Sequence, residues 1–445
     1  MTTTDRPRTG VRLAVLAISQ FLVAVDFDIV FVALPQIGRA LGFSPSGLQW
    51  VVSAFTVVLG GFLLLGGRSA DRLGMRRMFV AGMVLFGAAS LAGGLATTAS
   101  ALVVARGVQG LGAALIVPAS LALIGATFAE GPERNRAFAV WGVAGASGAA
   151  VGAIGGGVLT AAFGWQAVLL VAVPVAAVLI VAARAFPADG PRRPGAFDVP
   201  GAVLATAGAT TLVYGIVTRG WAIAAGLALL AAFLLVEARA ADPLLPPALL
   251  RRRGIAIPAA AVFLFMGSVA AAYYLITVFL QDALGFGPLL AGLAFLPMSV
   301  LSMAGSGLVF PRLVSRYGVH VALAIGLAGM AVGLAGLALA VPFGSYLLVA
   351  PWLAWTVFAG VAFPAVYRAA GAAAGAEEQG VAAALVSTAQ YVGGAIGLAA
   401  ILAATGLDHA VADTLPGALR DTGLVAAAVV LAGAVLVAVT RPRRS

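Results

Sequence analysis

The chain has 445 residues, 62% hydrophobic and only 9% charged, with a mean hydropathy of +1.08. Soluble domains carry about 25% charged residues, so a water-soluble globular protein is excluded and an all-α integral membrane protein is expected. The net charge of +10 comes from arginine alone, dealt out between apolar runs and not pooled on one domain, which argues against a nucleic-acid partner.

Residues 1–9 are polar and basic and read as a disordered tail. The first apolar run, 11–34, is too long for a signal-peptide core and lacks a convincing cleavage site, so it reads as a retained helix ending at Pro35. Further helices are predicted over 50–66, 78–97, 101–124, 137–160 and 165–183, giving a first six-helix bundle within 1–183. A basic, proline-rich linker follows at 184–198, then a helix pair over 199–217 and 221–237. A second linker, 238–254, ends in Arg251, Arg252 and Arg253, so linkers and central pair occupy 184–254. Six more helices, over 255–280, 288–310, 319–341, 346–369, 380–404 and 421–440, form a second bundle, and with the basic tail they fill 255–445.

The count of fourteen can be checked by charge. With the amino terminus in the cytoplasm, 22 of the 26 arginines fall on the cytoplasmic side. Arg39, Arg219 and Arg420 fall outside, and Arg106 lies in the membrane. Adding or losing one helix would scramble this alternation. A multi-pass protein with both termini cytoplasmic is therefore expected. The heavy use of Ala, Gly and Arg without Lys suggests a high-GC bacterial genome, and hence a bacterial cytoplasmic membrane.

The charged stretch between the second and third apolar runs holds Gly67, Asp71, Arg72, Gly74, Arg76 and Arg77. It must turn the chain in few residues, and on physics alone it can be a positive-inside anchor and nothing more. A related stretch, 311–318, lies at the same place in the second bundle. There Arg316 and Gly318 stand where Arg72 and Gly74 do, while Pro311 and Ser315 replace Gly67 and Asp71. Two similar halves are a usual plan for secondary transporters.

Charges inside apolar runs are costly and point to an interior cavity or a partner. Asp26 and Asp28 lie in the first run, about 200° apart around a helix, so they cannot share a face. Either acid can also serve as a purely structural hydrogen-bonding group. Arg106 is the lone base in a run; about one turn into its helix, it also fits an arginine snorkelling to the interface. The fifth run carries Gly148, Gly152, Gly156 and Gly157, small residues that allow close helix contact. Tyr273, Tyr274 and Gln281 offer polar contacts in the ninth run, while Trp352, Trp355, Tyr367 and Tyr391 fit either a cavity or an interfacial belt.

These residues resemble the signatures of the major facilitator superfamily, and within it the fourteen-helix drug:proton antiporter branch. The charged stretch at 67–77 is similar to the family signature between helices 2 and 3, and Arg106, Gln109 and Gly110 to its Arg-x-x-Gln-Gly in helix 4. Asp26, Ile29, Val30, Val32, Ala33, Leu34 and Pro35 match the branch's helix 1 pattern. Asp28 stands where that pattern has threonine, and Ala153 replaces the proline of the helix 5 motif. The resemblance implies two six-helix bundles with a central pair, Asp71 as a conformational latch, and Arg106 in proton transfer with Asp26 or Asp28. It implies proton-driven efflux of amphiphilic drugs or antibiotics, with protons and membrane lipid as the other partners and no obligate protein partner. The extra acid at Asp28 bears on either cation preference or proton coupling. An exporter or importer of an endogenous metabolite would share this fold. A receptor or scaffold has no need of buried acids at such cost. Without cysteine, and with His320 and His409 in no metal motif, no metal is expected; with no P-loop and no long cytosolic domain to house an ATPase, neither enzyme chemistry nor a cofactor is expected.

Overall fold

A computed structural model describes residues 6–189, 198–240, 243, 249, 251–374, 379–410 and 413–440. Fourteen long helices stand among them. The first six are α1 (Arg6–Leu41), α2 (Trp50–Leu73), α3 (Met75–Gly94), α4 (Ala99–Thr127), α5 (Pro132–Phe163) and α6 (Gln166–Ala185). The central pair is α7 (Val199–Thr218) and α8 (Ala222–Arg239). The last six are α9 (Arg253–Val278), α10 (Pro288–Tyr317), α11 (Val319–Ala340), α12 (Trp355–Ala373), α13 (Gln379–Thr405) and α14 (Leu415–Val439). Thirteen of these are long and apolar enough to cross a membrane, and α5 is a continuous helix of 32 residues. The amino-terminal residues 1–5, much of both linkers and the tail 441–445 lie outside the described residues.

Helix ends depart from expectation where charge was read as loop. The stretch 67–77 is helical except at Gly74, where α2 stops and α3 starts across one residue at φ 113°. Its counterpart Gly318, at φ 83°, makes the same one-residue break between α10 and α11. Arginine is a good helix former, so an arginine-rich end prolongs a helix beyond the apolar run. Only the left-handed break demands glycine. Arg39 and Arg420, expected in loops, accordingly lie within α1 and α14.

Helix α1 also starts earlier than expected, at Arg6, and continues through Pro35 to Leu41. Proline removes one backbone donor and crowds the preceding turn. Here the extension is held by burial of Ile37 and by Leu48, whose side chain meets the open face of Gly38. Gln281 Nε2 meanwhile donates to Val32 O at 2.8 Å, in the turn before the proline.

The apolar residues form two main clusters. All buried members of one, from Val15 and Leu16 through Phe79 and Phe86 to Phe186, come from α1–α6, the turn after α4 and the turn after α6. The other joins the later part of α1, from Ile29 to Ile37, and residues such as Val51, Val52, Leu102 and Ala153 to α9–α14. The halves therefore meet along the carboxy-terminal part of α1, and along α2, where Gly60 packs on Tyr391 and Val392 of α13. They meet again where Gly157 of α5 packs on Pro288 and Gly292 of α10. The central pair turns at Arg219, a left-handed residue whose Nη2 donates to Ala403 O at 2.7 Å. Helix α7 packs Ala209 and Val213 with Val57 of α2 and Ala395 of α13, alongside the seam between the halves. Leu227, Leu234 and Leu235 of α8 are left exposed, as a lipid-facing helix requires.

Candidate functional site

The acids of α1 point to different surroundings, as their spacing requires. Asp26 is 2% exposed and Arg106 1%, and Asp26 Oδ2 meets Arg106 Nη1 at 2.6 Å. Gln109, one turn after Arg106 on α4, joins them. Its Nε2 donates to Asp26 Oδ1 at 2.5 Å and to Ser90 Oγ at 2.9 Å, while its Oε1 accepts from Arg106 Nη1 at 2.7 Å. Arg106 Nε donates to Val51 O at 2.9 Å, and the guanidinium lies 4.5 Å from the centre of the Phe55 ring. Gly110 lets this happen, because a Cβ there would overlap Phe55 O and hold α2 away from α4.

Arg106 is thus no snorkelling residue. It is one end of a buried, hydrogen-bonded ion pair linking α1, α2, α3 and α4. Such a pair is stable only while both partners stay charged and close; removing one leaves the other stranded in a low-dielectric interior. Protonating Asp26 would cancel its attraction for Arg106 and free α1 to shift relative to α4. Ser90 completes the network through its own bond to Phe86 O at 2.7 Å. The only signal for it in sequence was a serine in the middle of the third apolar run.

Asp28 is half-buried and has no hydrogen-bond or ion-pair partner among the described residues. Its Cβ lies against Gly152 of α5, and Tyr273 and Tyr391 lie within its electrostatic reach. Tyr273 sits among rings, with centroids 5.7 Å from Phe31, 5.6 Å from Phe295 and 6.4 Å from Trp355. Trp355 is buried, while Trp352 is 40% exposed. Tyr274 is also buried on α9. Gln281 is spent on Val32 O, across the contact between halves. Tyr367 is engaged within the second half, its hydroxyl donating to Gln390 Oε1 at 2.6 Å. A hollow of about 560 Å³ between α3 and α4, lined by Ala88, Ala92, Ser100 and Val104 among others, holds no titratable side chain. No cluster of potential metal ligands occurs among the described residues.

The four motif glycines of α5 divide their work. At Gly148, Gly152 and Gly156 a side chain would strike the α1 backbone or Cβ atoms between Ala24 and Ile29, the turns that carry both acids. At Gly157 it would instead strike α10. With Ala153 in place of proline, α5 runs unbroken.

The start of α3 has a partner that sequence reasoning missed. Asp189, just past α6, accepts from Arg76 N at 3.1 Å and Arg77 N at 2.8 Å, and Arg77 Nε lies 4.0 Å from it. These are backbone donors that a helix start leaves unsatisfied. Gly74 has no side chain to cap them, and a Cβ there would run into the Asp189 carboxylate. Arg68 donates to Pro243 O in the second linker. Besides Gly74, the sterically strict glycine here is Gly66 and not Gly67: a Cβ on Gly66 would overlap Ala114 O, whereas one on Gly67 meets only Pro118 at 3.7 Å. Replacing Asp189 with Ala is expected to cost about 1 kcal/mol, the usual loss for a helix cap, and to slow the transport cycle. Thermal melting in detergent checks the first part, and an unchanged melting temperature would remove this cap from the account.

Residues 16–398 match the family model of the Major Facilitator Superfamily. The chain belongs to this superfamily. Among its relatives in the superfamily, the cephamycin export protein CmcT of Amycolatopsis lactamdurans is 37% identical, over 91% of this chain and 86% of that protein. The puromycin resistance protein pur8 of Streptomyces alboniger is 38% identical over 88% and 81%. The methyl viologen resistance protein SmvA of Salmonella typhimurium is 32% identical over 88% and 81%. The crystal structure of the POT family transporter PepTSo shares the superfamily fold, with a TM-score of 0.71 over 97% of both chains at 16% identity.

Proposed function

We propose that this protein exports amphiphilic drugs or antibiotics across the bacterial cytoplasmic membrane in exchange for protons. The observation that carries the reading is the Asp26–Arg106 pair, buried at membrane depth and bridged by Gln109. A buried pair that one proton can dissolve is a means of making helix packing depend on proton occupancy. Asp26 is the coupling acid, Arg106 its counter-charge, and Gln109 the group that orients both. The moving bodies are residues 1–183 and 255–445, with 184–254 spanning them. The stretch holding Gly67, Asp71, Arg72, Gly74, Arg76 and Arg77 is the switch, and Asp71 its latch.

The arginine distribution supports a cytoplasmic location for both termini. In that orientation the packed end of the seam, at Phe31, Gln281 and Gly157, is extracellular. Single cysteines introduced into this cysteine-free chain test the orientation with an impermeant thiol reagent. Positions in 184–198 and 238–254 are expected to label in inverted vesicles and stay protected in intact cells; labelling in intact cells would overturn the orientation.

Transport itself is tested in inverted vesicles with an acidic interior, using puromycin, a cephamycin and methyl viologen. At least one is expected to accumulate, and collapse of the gradient to release it. Accumulation that survives collapse of the gradient would contradict proton exchange.

A further inference from the structure

Helices α3 and α4 leave a furrow of about 560 Å³ on the outer face of the first bundle. Ala88 and Ala92 of α3 form one wall, and Ala101, Val104 and Val108 of α4 the other, all of them exposed. Ala89 and Ala105 are its buried floor. The furrow exists because the helices stay close while their outward residues are small. A Cβ on Gly93 would lie 3.4 Å from Ala105 Cβ, and one on Gly112 only 2.7 Å from Phe86 N.

Its depth, chemistry and shape say what fills it. From Ser100 to Val108 the furrow follows α4 for about 12 Å, at 1.5 Å per residue, close to one leaflet of a hydrocarbon core roughly 30 Å thick. It opens at the end where α3 stops and α4 starts, which is extracellular in the orientation above. On the lipid side of a spanning helix its neighbour is hydrocarbon and not water. No charged side chain stands between Arg77 and Arg106 in the chain, and Arg106 turns inward to Asp26. The mouth carries hydroxyls: Thr98 Oγ1 lies 3.3 Å from Ser100 Oγ and accepts from Ala101 N at 3.2 Å. The furrow thus offers an apolar chain a fitted bed and offers a headgroup no charge. It suits a partner helix poorly, because close pairing brings backbone down onto small residues, and Val104, 65% exposed, stands up beside Ala101 and Ala105.

The floor backs onto the buried pair. Ala89 and Ala105 are followed in the chain by Ser90 and Arg106, which turn the other way, into the Asp26 network. Gln109 Nε2 ties α4 to Ser90 Oγ of α3 at 2.9 Å. Such a network is strong only in a low dielectric, and hydrocarbon lying in the furrow seals the α3–α4 junction behind it against water.

We infer that this furrow binds one acyl chain of a phospholipid from the extracellular leaflet, as a fixed part of the folded bundle. It selects by chain and not by headgroup. The inference needs only that these helices span the membrane, so it stands or falls apart from the export reading.

Native mass spectrometry of the purified, full-length protein in detergent, with palmitoyl-oleoyl phosphatidylglycerol added, tests this. The wild type is expected to keep the lipid through detergent exchange. Ala92→Phe, whose ring takes the place of the chain, is expected to weaken retention by at least about tenfold. Val178→Phe, on the exposed face of α6, is expected to change it by less than about twofold. Phosphatidylethanolamine with the same chains should be kept equally well, and dioctanoyl phosphatidylglycerol poorly. Melting supplies a second readout: the lipid should raise the melting temperature of the wild type and leave that of Ala92→Phe unchanged. Should Ala92→Phe not fold, Ala88→Leu carries the same comparison. No retention by the wild type, equal retention by the wild type and Ala92→Phe, equal losses in Ala92→Phe and Val178→Phe, or a strict headgroup preference would overturn the site. A dimer that Ala92→Phe dissolves, with no lipid retained, would give the furrow to a second copy of the chain and overturn it as well. Each of these contrary results leaves proton-driven export standing.

Discussion

Replacing Arg106 with Ala is expected to destabilise the protein by roughly 3–5 kcal/mol and to end export, because it strands the Asp26 carboxylate in the interior. Both partners are almost fully enclosed, and Arg106 also holds Val51 O and Gln109. Asp26→Asn should be milder for folding. An asparagine oxygen can still accept from Arg106, yet the side chain no longer takes up a proton. Melting in detergent therefore separates the two variants, while both lose gradient-driven export. Equal, small losses of stability would mean that the pair contributes little to holding α1 against α4.

The second large effect concerns two neighbouring glycines of α5. Gly157→Val is expected to cut export at least tenfold, since its Cβ would sit 2.7 Å from Pro288 O and 3.2 Å from Leu289 Cα. Those atoms belong to the other half and cannot move aside without opening the seam. Gly155→Val places its Cβ 4.0 Å from Ile29 Cδ1, an ordinary contact, so export should stay near the wild-type rate. Export assays in cells, normalised to the amount of protein in the membrane, distinguish them. Comparable activity of both valine variants would show that the Gly157 contact is not part of the cycle.

Much of this was legible in the residues because hydrocarbon imposes strict costs. Twenty-residue apolar runs and arginine alternation marked the helices, and each charge within a run announced itself. Asp26 and Arg106 were both conspicuous, but their pairing was not, since 80 residues separate them and only tertiary packing brings them together. Asp189 was invisible for the same reason, caught in a linker 113 residues from the backbone it caps. Helix ends were misread at 67–77 and at Pro35 because charge and proline report local preference, whereas helix length followed packing and the ease with which arginine continues a helix. The glycines divided likewise. Gly74 was legible as a turn, but the need for Gly66 comes from a carbonyl on α4 that no local pattern encodes.

The central claim is that proton exchange passes through Asp26. It is tested most directly in proteoliposomes that enclose a pH-sensitive dye, using whichever compound of the panel is exported. In the wild type, a substrate gradient should drive protons in the opposite direction with no imposed pH difference. In Asp26→Asn, folded and still able to bind substrate, that proton movement should vanish. Undiminished substrate-driven proton movement in Asp26→Asn would contradict the account.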